Sequence, residues 1–264
     1  MKKLITIMIV VTLGGLALSG CRSSQKVEIA PELAASDEAL FRAGQEAAKR
    51  DTEKARLYFR QVIESFPKSF YAQRAKLAMA DSYFEKGDEG SMILAASEYR
   101  EFIQLYPFSP SAPYAQYQIA LCYFNKALKP GRDQTKTSQA LLEFRKVVAN
   151  FPTSEEAGKA PALIAECEER LAAHALSIGE LYYKSKAIKA AISRLTDILT
   201  EYPSFSRMDL VYYYLADSYY LSNKPEEAVP FFTKLVTDFP KSEMAEKAQG
   251  RLELIAKAPK KTAA

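Results

Sequence analysis

An aromatic residue followed by proline occurs five times in this chain, each time at the same point of a helical pattern. Upstream of each pair stand a small residue, a large apolar residue four positions later and then two hydrophobic residues. The pairs recur at spacings of 40, 45, 51 and 37 residues. Repeats of this length predict helical hairpins that stack into a binding scaffold. The pairs are Phe66-Pro67, Tyr106-Pro107, Phe151-Pro152, Tyr202-Pro203 and Phe239-Pro240.

The last two repeats follow the tetratricopeptide repeat (TPR) pattern most closely. Three positions of the fourth repeat recur 37 residues later in the fifth, as Gly179 and Ala216, Ala191 and Ala228, and Pro203 and Pro240. The small residues let the two helices of a TPR pack closely, so we expect Ala191 and Ala228 to be almost fully buried. No strand pattern occurs over 36–257. The predicted fold class is therefore all-α, an α-solenoid of about five TPR hairpins with a C-terminal capping helix over 242–257.

A few irregularities interrupt the repeats. Glu46 occupies the usual tyrosine position of the first repeat, whose first helix we expect Ser36 to cap. The third repeat carries a polar insertion, 128–137, of the kind that usually forms a solvated connection. No helix-breaking residue except Pro161 occurs over 155–186. The first helix of the fourth repeat is therefore expected to be about twice the usual length for this pattern.

The N-terminus has the features of a secretory signal. Lys2 and Lys3 precede an apolar run, 4–18, that is too short to span a membrane and ends in Leu-Ser-Gly before Cys21. Cleavage directly before a cysteine is the bacterial lipoprotein signature, in which the thiol of Cys21 becomes lipidated. The alternative is an ordinary signal peptide followed by an incidental cysteine.

The residue after the cysteine favours the outer membrane. Arg22 stands where an inner-membrane retention signal normally has aspartate. Several acyl chains anchor a protein far more firmly than one does. We therefore predict a protein anchored by lipid to the periplasmic face of the outer membrane. Its predicted parts are a signal peptide over 1–20, a lipidated flexible tether over 21–35, a TPR solenoid over 36–257 and a disordered tail over 258–264.

Charge and cysteine content narrow the possible partners. Removal of the signal and its two lysines leaves 34 basic residues against 32 acidic ones, so we expect no nucleic-acid partner. Cys122 and Cys167 lie in apolar helical patterns of different repeats. The periplasm permits disulfides, but this placement favours two buried free thiols.

Catalytic motifs do not occur in the sequence. The chain has one histidine, His174, which is expected to be a packing or surface residue of the long helix. Neither a metal-binding histidine pair, a nucleophile elbow nor a glycine-rich phosphate loop is present. We therefore predict that the protein is not an enzyme and that it requires no cofactor or metal.

The third and fourth repeats carry a more specific signal. Arg132-Asp-Gln-Thr-Lys-Thr137 is followed by Phe151-Pro-x-Ser154 and then by Ala190-Ala-Ile-x-Arg194. In these segments the chain resembles the BamD family, the TPR lipoproteins of the outer-membrane β-barrel assembly machinery. The resemblance covers essentially the whole mature chain. It departs from the family pattern at three positions, where Glu156 replaces tyrosine, Ala175 replaces glutamate and Lys186 replaces glycine.

The resemblance implies a scaffold that joins two kinds of partner. BamD-like proteins dock on the periplasmic POTRA domains of the barrel insertase and receive unfolded outer-membrane proteins by a C-terminal targeting signal. Accessory lipoproteins are possible further partners. The family's insertase-contacting arginine is matched by Arg194, for which the alternative is an ordinary surface arginine.

A concave TPR surface can hold an extended peptide through pockets lined by aromatic side chains. The N-terminal repeats face the substrate in the family, and we place the predicted groove there. Two other functions remain open, a different periplasmic TPR lipoprotein scaffold (a secretin pilotin or a cell-division or cell-wall enzyme adaptor) and a cell-wall enzyme with an accessory TPR array. The groove candidates are Phe41, Tyr83, Phe84, Tyr114 and Tyr117.

Overall fold

The computed structural model describes residues 34–257, and that part of the chain contains eleven α-helices and no strand. Each helix packs against the one before it and the one after it, so the prediction of five helical hairpins closed by one further helix is confirmed. The helices are α1 (Asp37–Ala48), α2 (Thr52–Ser65), α3 (Phe70–Lys86), α4 (Glu89–Leu105), α5 (Ala112–Phe124), α6 (Thr135–Asn150), α7 (Glu155–Lys184), α8 (Ile188–Glu201), α9 (Met208–Leu221), α10 (Pro225–Asp238) and α11 (Glu243–Lys257). The predicted signal peptide, Cys21 and the tail over 258–264 lie outside the described residues.

The aromatic–proline pairs form the same backbone turn in all five repeats. Each aromatic residue caps its helix with nearly identical dihedral angles, for example φ −132° and ψ 53° at Phe66 and φ −129° and ψ 54° at Phe239. The N–H of Phe66 donates to the carbonyl of Val62, and its own carbonyl accepts from the N–H of Ser69. Proline disfavours the helical conformation of the residue before it. The pair therefore ends the second helix of every hairpin at a fixed place.

Small residues allow the two helices of a hairpin to approach closely. A Cβ added at Gly179 on α7 would lie 2.8 Å from the Leu195 side chain on α8. Ala191 and Ala228 are both 0% exposed, which confirms their predicted burial. The TPR register assigned from the sequence is therefore the register of the structure.

The insertion in the third repeat lies slightly earlier in the chain than predicted. It spans 125–134, not 128–137, because helix α5 ends at Phe124 and helix α6 already begins at Thr135. The side-chain amide of Gln134, which is buried, donates to the carbonyl of Lys129 at 2.8 Å. An internal polar side chain thus fixes the loop conformation, and the insertion is a structured element of the third repeat.

Helix α7 is 30 residues long and continues through Pro161, which confirms the predicted double length. Its N-terminal part packs against the third repeat, and its C-terminal part forms the fourth hairpin with α8. His174 on this helix places its Nδ1 atom 2.6 Å from the carbonyl oxygen of Pro130. The histidine therefore ties the insertion to the long helix, which is the packing role, one of the two alternatives that the sequence left open.

The two cysteines of the described residues are free and buried, as predicted. Cys122 is 2% exposed and Cys167 is 0% exposed. Burial raises the pKa of the Cys122 thiol to about 12 and that of the Cys167 thiol to about 11. Both thiols are therefore protonated and unreactive at neutral pH.

The backbone has a left-handed conformation at one repeated position. Gly87, Lys186 and Asn223 have φ values of 72°, 62° and 60°, and each lies seven residues after the small residue of its repeat's first helix. Glycine adopts positive φ without strain and asparagine tolerates it, whereas lysine does so at a cost. A glycine at position 186 would therefore adopt this turn without strain.

We expect Lys186→Gly to stabilise the protein by about 0.5–1 kcal/mol, because it removes left-handed strain from a side-chain-bearing residue. The free energy of unfolding by urea measures the gain. Lys186→Ala is the control for loss of the lysine side chain and should give no gain. Asn223→Gly should gain less than Lys186→Gly, because asparagine already tolerates this conformation. A loss of stability in Lys186→Gly would contradict the assignment.

Candidate partner-binding surfaces

Asp81 on α3 holds two of the tyrosines of the N-terminal repeats. Its carboxylate accepts hydrogen bonds from the hydroxyl of Tyr99 at 2.6 Å and from that of Tyr114 at 2.9 Å. Burial raises the pKa of Asp81, while the two hydroxyl donors act in the opposite direction. Burial and the Asp81 carboxylate in turn raise the pKa of Tyr114 to about 12. The groove candidate Tyr114 is therefore held as a protonated donor that links the second and third repeats.

Phe41, another groove candidate, lies inside the first repeat. Its side chain is 3% exposed and its ring centroid lies 5.8 Å from that of Phe59 and 5.6 Å from that of Tyr71. The guanidinium of Arg74 covers the ring at 4.8 Å. In this conformation Phe41 offers little surface to a peptide and instead supports its neighbours.

Tyr83, Phe84 and Tyr117 are half-buried, and each keeps part of its side chain accessible. The guanidinium of Arg56 lies 4.4 Å from the ring centroid of Tyr83. Tyr117 packs edge-on against Phe144, with centroids 5.5 Å apart. The structure brings three of the candidates together, since Tyr83, Phe84 and Tyr114 pack against one hydrophobic cluster. Phe41 belongs to a second cluster, which Tyr83 also contacts, and Tyr117 packs against a third.

Arg194 lies on the exposed side of α8. Its side chain is 54% exposed, and its Nη1 atom is 3.8 Å from the Oδ2 atom of Asp197 one turn further on. An exposed ion pair at this distance contributes little to stability. The guanidinium therefore has its hydrogen-bonding capacity available for a partner.

Asp81 and a fully buried carboxylate, Asp217 on α9, are not among the residues predicted from the sequence. Asp217 is 0% exposed, accepts a hydrogen bond from the Tyr183 hydroxyl at 2.6 Å and lies 2.7 Å from the Nε atom of Arg251 on α11. These contacts join the fourth repeat, the fifth repeat and the closing helix. The sequence does contain a signal, because Ala-Asp-Ser-Tyr occurs at both 80–83 and 216–219.

A shallow cavity of about 380 Å³ lies between the start of α4 and the insertion of the third repeat. Its lining combines the carboxylates of Glu89 and Asp133 with the ammonium groups of Lys126 and Lys136. The Lys136 ammonium also lies 5.6 Å from the ring centroid of Tyr123. Both signs of charge line this cavity, so it favours no single class of ion.

Between 34 and 257, no three histidine, cysteine or acidic side chains come together as a metal ion would require. In the same range, no helix combines the length and the apolar character that a membrane crossing needs.

Comparison with known proteins places the chain in a family. The model of the family YfiO, described as an outer membrane lipoprotein, matches residues 33–221, and a tetratricopeptide repeat model matches residues 210–242. The outer membrane protein assembly factor BamD of Neisseria meningitidis serogroup A is 30% identical over 257 residues, covering 92% of this chain and 93% of that relative. The Caulobacter vibrioides protein of the same name is 33% identical over 171 residues, covering 65% of this chain and 55% of that relative.

Solved TPR structures are more distant. A TPR protein of Thermus thermophilus is 15% identical with a TM-score of 0.34, covering 83% of this chain and all of the other. The TPR2AB domain of yeast Sti1 is 14% identical with a TM-score of 0.42, covering 83% of this chain and 84% of the other. The family model covers well over half of the chain, and the Neisseria relative matches nearly its full length. The chain therefore belongs to the BamD (YfiO) family of outer membrane lipoproteins.

Proposed function

We propose that the protein is a lipid-anchored scaffold on the periplasmic face of the outer membrane. It binds the POTRA domains of the barrel insertase and unfolded outer-membrane proteins that await insertion. The observation that carries the proposal is the match, over 92% of this chain, to a relative named outer membrane protein assembly factor BamD. The helical hairpins along the described residues support a non-catalytic role, because stacked repeats present extended binding surfaces.

Arg194 is the proposed contact to the insertase. Its guanidinium is exposed and only loosely paired with Asp197. A planar guanidinium can bind a carboxylate with two parallel hydrogen bonds, which gives both affinity and orientation. We therefore propose that Arg194 binds an acidic residue of the insertase. In this arrangement the C-terminal repeats contact the insertase.

The substrate surface is proposed for the N-terminal repeats. Tyr83, Phe84 and Tyr117 are half-buried on adjacent repeats, whereas Phe41 is buried and the Tyr114 hydroxyl is bound by Asp81. Aromatic side chains offer a large contact area at a low entropic cost, which suits the recognition of many different extended segments. Substrate selectivity would then arise from the spacing of the apolar side chains along the bound peptide.

Arg194→Glu should abolish co-purification with the barrel insertase while leaving the fold intact. The reversal sets like charges together at the proposed interface, which costs several kcal/mol of binding. The same change at an exposed position alters the free energy of unfolding by about 0.5 kcal/mol or less. Affinity purification from solubilised membranes measures the first effect, and circular dichroism with thermal melting measures the second.

Lys189→Glu is the matched control, because Lys189 is an exposed cation on the same helix. It should retain the insertase. Normal co-purification of Arg194→Glu would remove this residue from the interface. A collapsed melting curve for Arg194→Glu would instead show that Arg194 supports the fold.

A further inference from the structure

The first two turns between repeats expose large apolar side chains. Phe108 is 98% exposed, Phe70 is 66% exposed and Leu105 is 55% exposed. Leu105 ends α4, Phe108 lies in the turn that follows it, and Phe70 begins α3 after the preceding turn. All three side chains therefore lie at the edge of the solenoid where hairpins are joined, which we term the inter-repeat edge.

Packing of the repeats does not require these side chains. The position directly after the proline is apolar in only one of the five repeats. The last residue of the second helix is likewise apolar in only one of the five. At these two positions the exposed apolar side chains, Leu105 and Phe108, are therefore confined to the second repeat. The residues after the prolines are Lys68, Phe108, Thr153, Ser204 and Lys241, and those ending the helices are Ser65, Leu105, Asn150, Glu201 and Asp238.

The chain enters the solenoid at this same edge. Helices α1 and α2 form a hairpin, so the first residue of α1 lies beside the turn that follows α2. The hydroxyl of Ser69 in that turn donates a hydrogen bond to the carboxylate of Asp37. At about 3.5 Å for each residue, the segment from Cys21 to Asp37 reaches at most roughly 55 Å. A membrane anchor at Cys21 would therefore keep the inter-repeat edge of the first repeats within about 55 Å of the lipid.

We propose that Phe70, Leu105 and Phe108 insert into the headgroup region of the membrane that carries the anchor. Phenylalanine and leucine side chains on a protein surface bury readily at the boundary between headgroups and acyl chains. Lys68, exposed in the first turn, suits anionic headgroups. The contact orients the first two repeats, so that the connections within each hairpin point into the periplasm. This inference rests on the proposed lipid anchor.

Quenching of a single fluorescent probe tests the contact. The lipidated chain carries Phe108→Cys labelled with a nitrobenzoxadiazole dye and is reconstituted into vesicles of phosphatidylethanolamine and phosphatidylglycerol. Cys122 and Cys167 are buried and escape labelling, and Cys21 is acylated. Leu181→Cys is the matched control, because Leu181 is 63% exposed near the end of α7, at the opposite edge. Flotation with the vesicles is measured first.

A nitroxide on the lipid acyl chain, close to the headgroup, should quench the probe at 108 several-fold more than the probe at 181. Iodide in the water should show the reverse order. If the chain floats with the vesicles but iodide quenches both probes equally, the proposed lipid contact is wrong and the proposed anchor is retained. A chain that does not float overturns the anchor and the contact together. Protection of the probe at 108 from iodide without lipid quenching would assign the patch to a second copy of the chain, and would also overturn the lipid contact.

Discussion

Cys21→Ala should remove the protein from the outer membrane and leave it soluble in the periplasm or mislocalised. The proposed anchor is the set of acyl chains carried by this one residue, and the residues that the structure describes contain no helix able to cross a membrane. Several acyl chains hold a protein stably, whereas other surface contacts of this size give only reversible binding. We expect nearly all of the variant to leave the outer-membrane fraction, as measured by separation of the inner and outer membranes followed by immunoblotting.

The control for the loss of a cysteine is Cys122→Ala. Cys122 is a buried free thiol, and its variant should remain in the outer membrane fraction. The measurement is made in high salt and in cells depleted of the insertase, so that protein contacts do not retain the chain. If Cys21→Ala still sediments with the outer membrane under these conditions, lipid anchoring at this residue is wrong.

Ala191→Leu and Ala228→Leu should each destabilise the protein by about 1–3 kcal/mol, because both alanines are fully buried and the added atoms overpack the hairpin. In the fourth repeat the space is already filled, since Leu195 lies against Gly179 on the facing helix. Thermal melting should fall by roughly 2–10 °C for each variant in a chain of this size.

Ala165→Leu serves as the control for these substitutions, because Ala165 is exposed on α7 and has room for the larger side chain. Its melting temperature should stay close to that of the parent protein. Unchanged melting in both Ala191→Leu and Ala228→Leu would show that the helices do not cross at these alanines.

The features predicted correctly from the sequence are those that local chemistry determines. The dihedral preference of a residue before proline acts within the turn itself, so the pairs from Phe66-Pro67 to Phe239-Pro240 mark helix ends without further information. The periodic small residues such as Gly179 and Ala191 likewise predict where two neighbouring helices meet. The all-α hairpin stack follows from these two signals.

The end of the insertion was misplaced because composition does not show which polar groups are buried. The segment up to Thr137 is polar and resembles a solvated loop. In the structure, Thr137 is 0% exposed and donates a hydrogen bond to the side-chain oxygen of Gln134 at 2.8 Å. Asp133 accepts from the N–H of Thr135 at 3.1 Å and so satisfies a backbone group at the start of α6. Partners within the segment thus allow the helix to start earlier than composition suggests.

The candidate sites depend on contacts between repeats, which a single sequence shows less directly. Phe41 has an apolar aromatic ring suited to a groove, but Tyr71 and Arg74 of the next repeat cover it. Asp81 and Asp217 are acidic residues that composition would place in solvent, yet tyrosine hydroxyls on neighbouring helices bind both of them. Only the packing of adjacent hairpins distinguishes an accessible side chain from a structural one here.

Identification of the proteins that bind this chain in its own membrane tests the central claim most directly. An affinity-tagged form is purified from detergent-solubilised membranes, and the recovered proteins are identified by mass spectrometry against an untagged strain. We predict that the barrel insertase is the main membrane protein recovered, together with unfolded outer-membrane proteins in smaller amounts. Recovery of a secretin or of cell-wall enzymes in the absence of the insertase would contradict the proposed function and favour a different periplasmic scaffold.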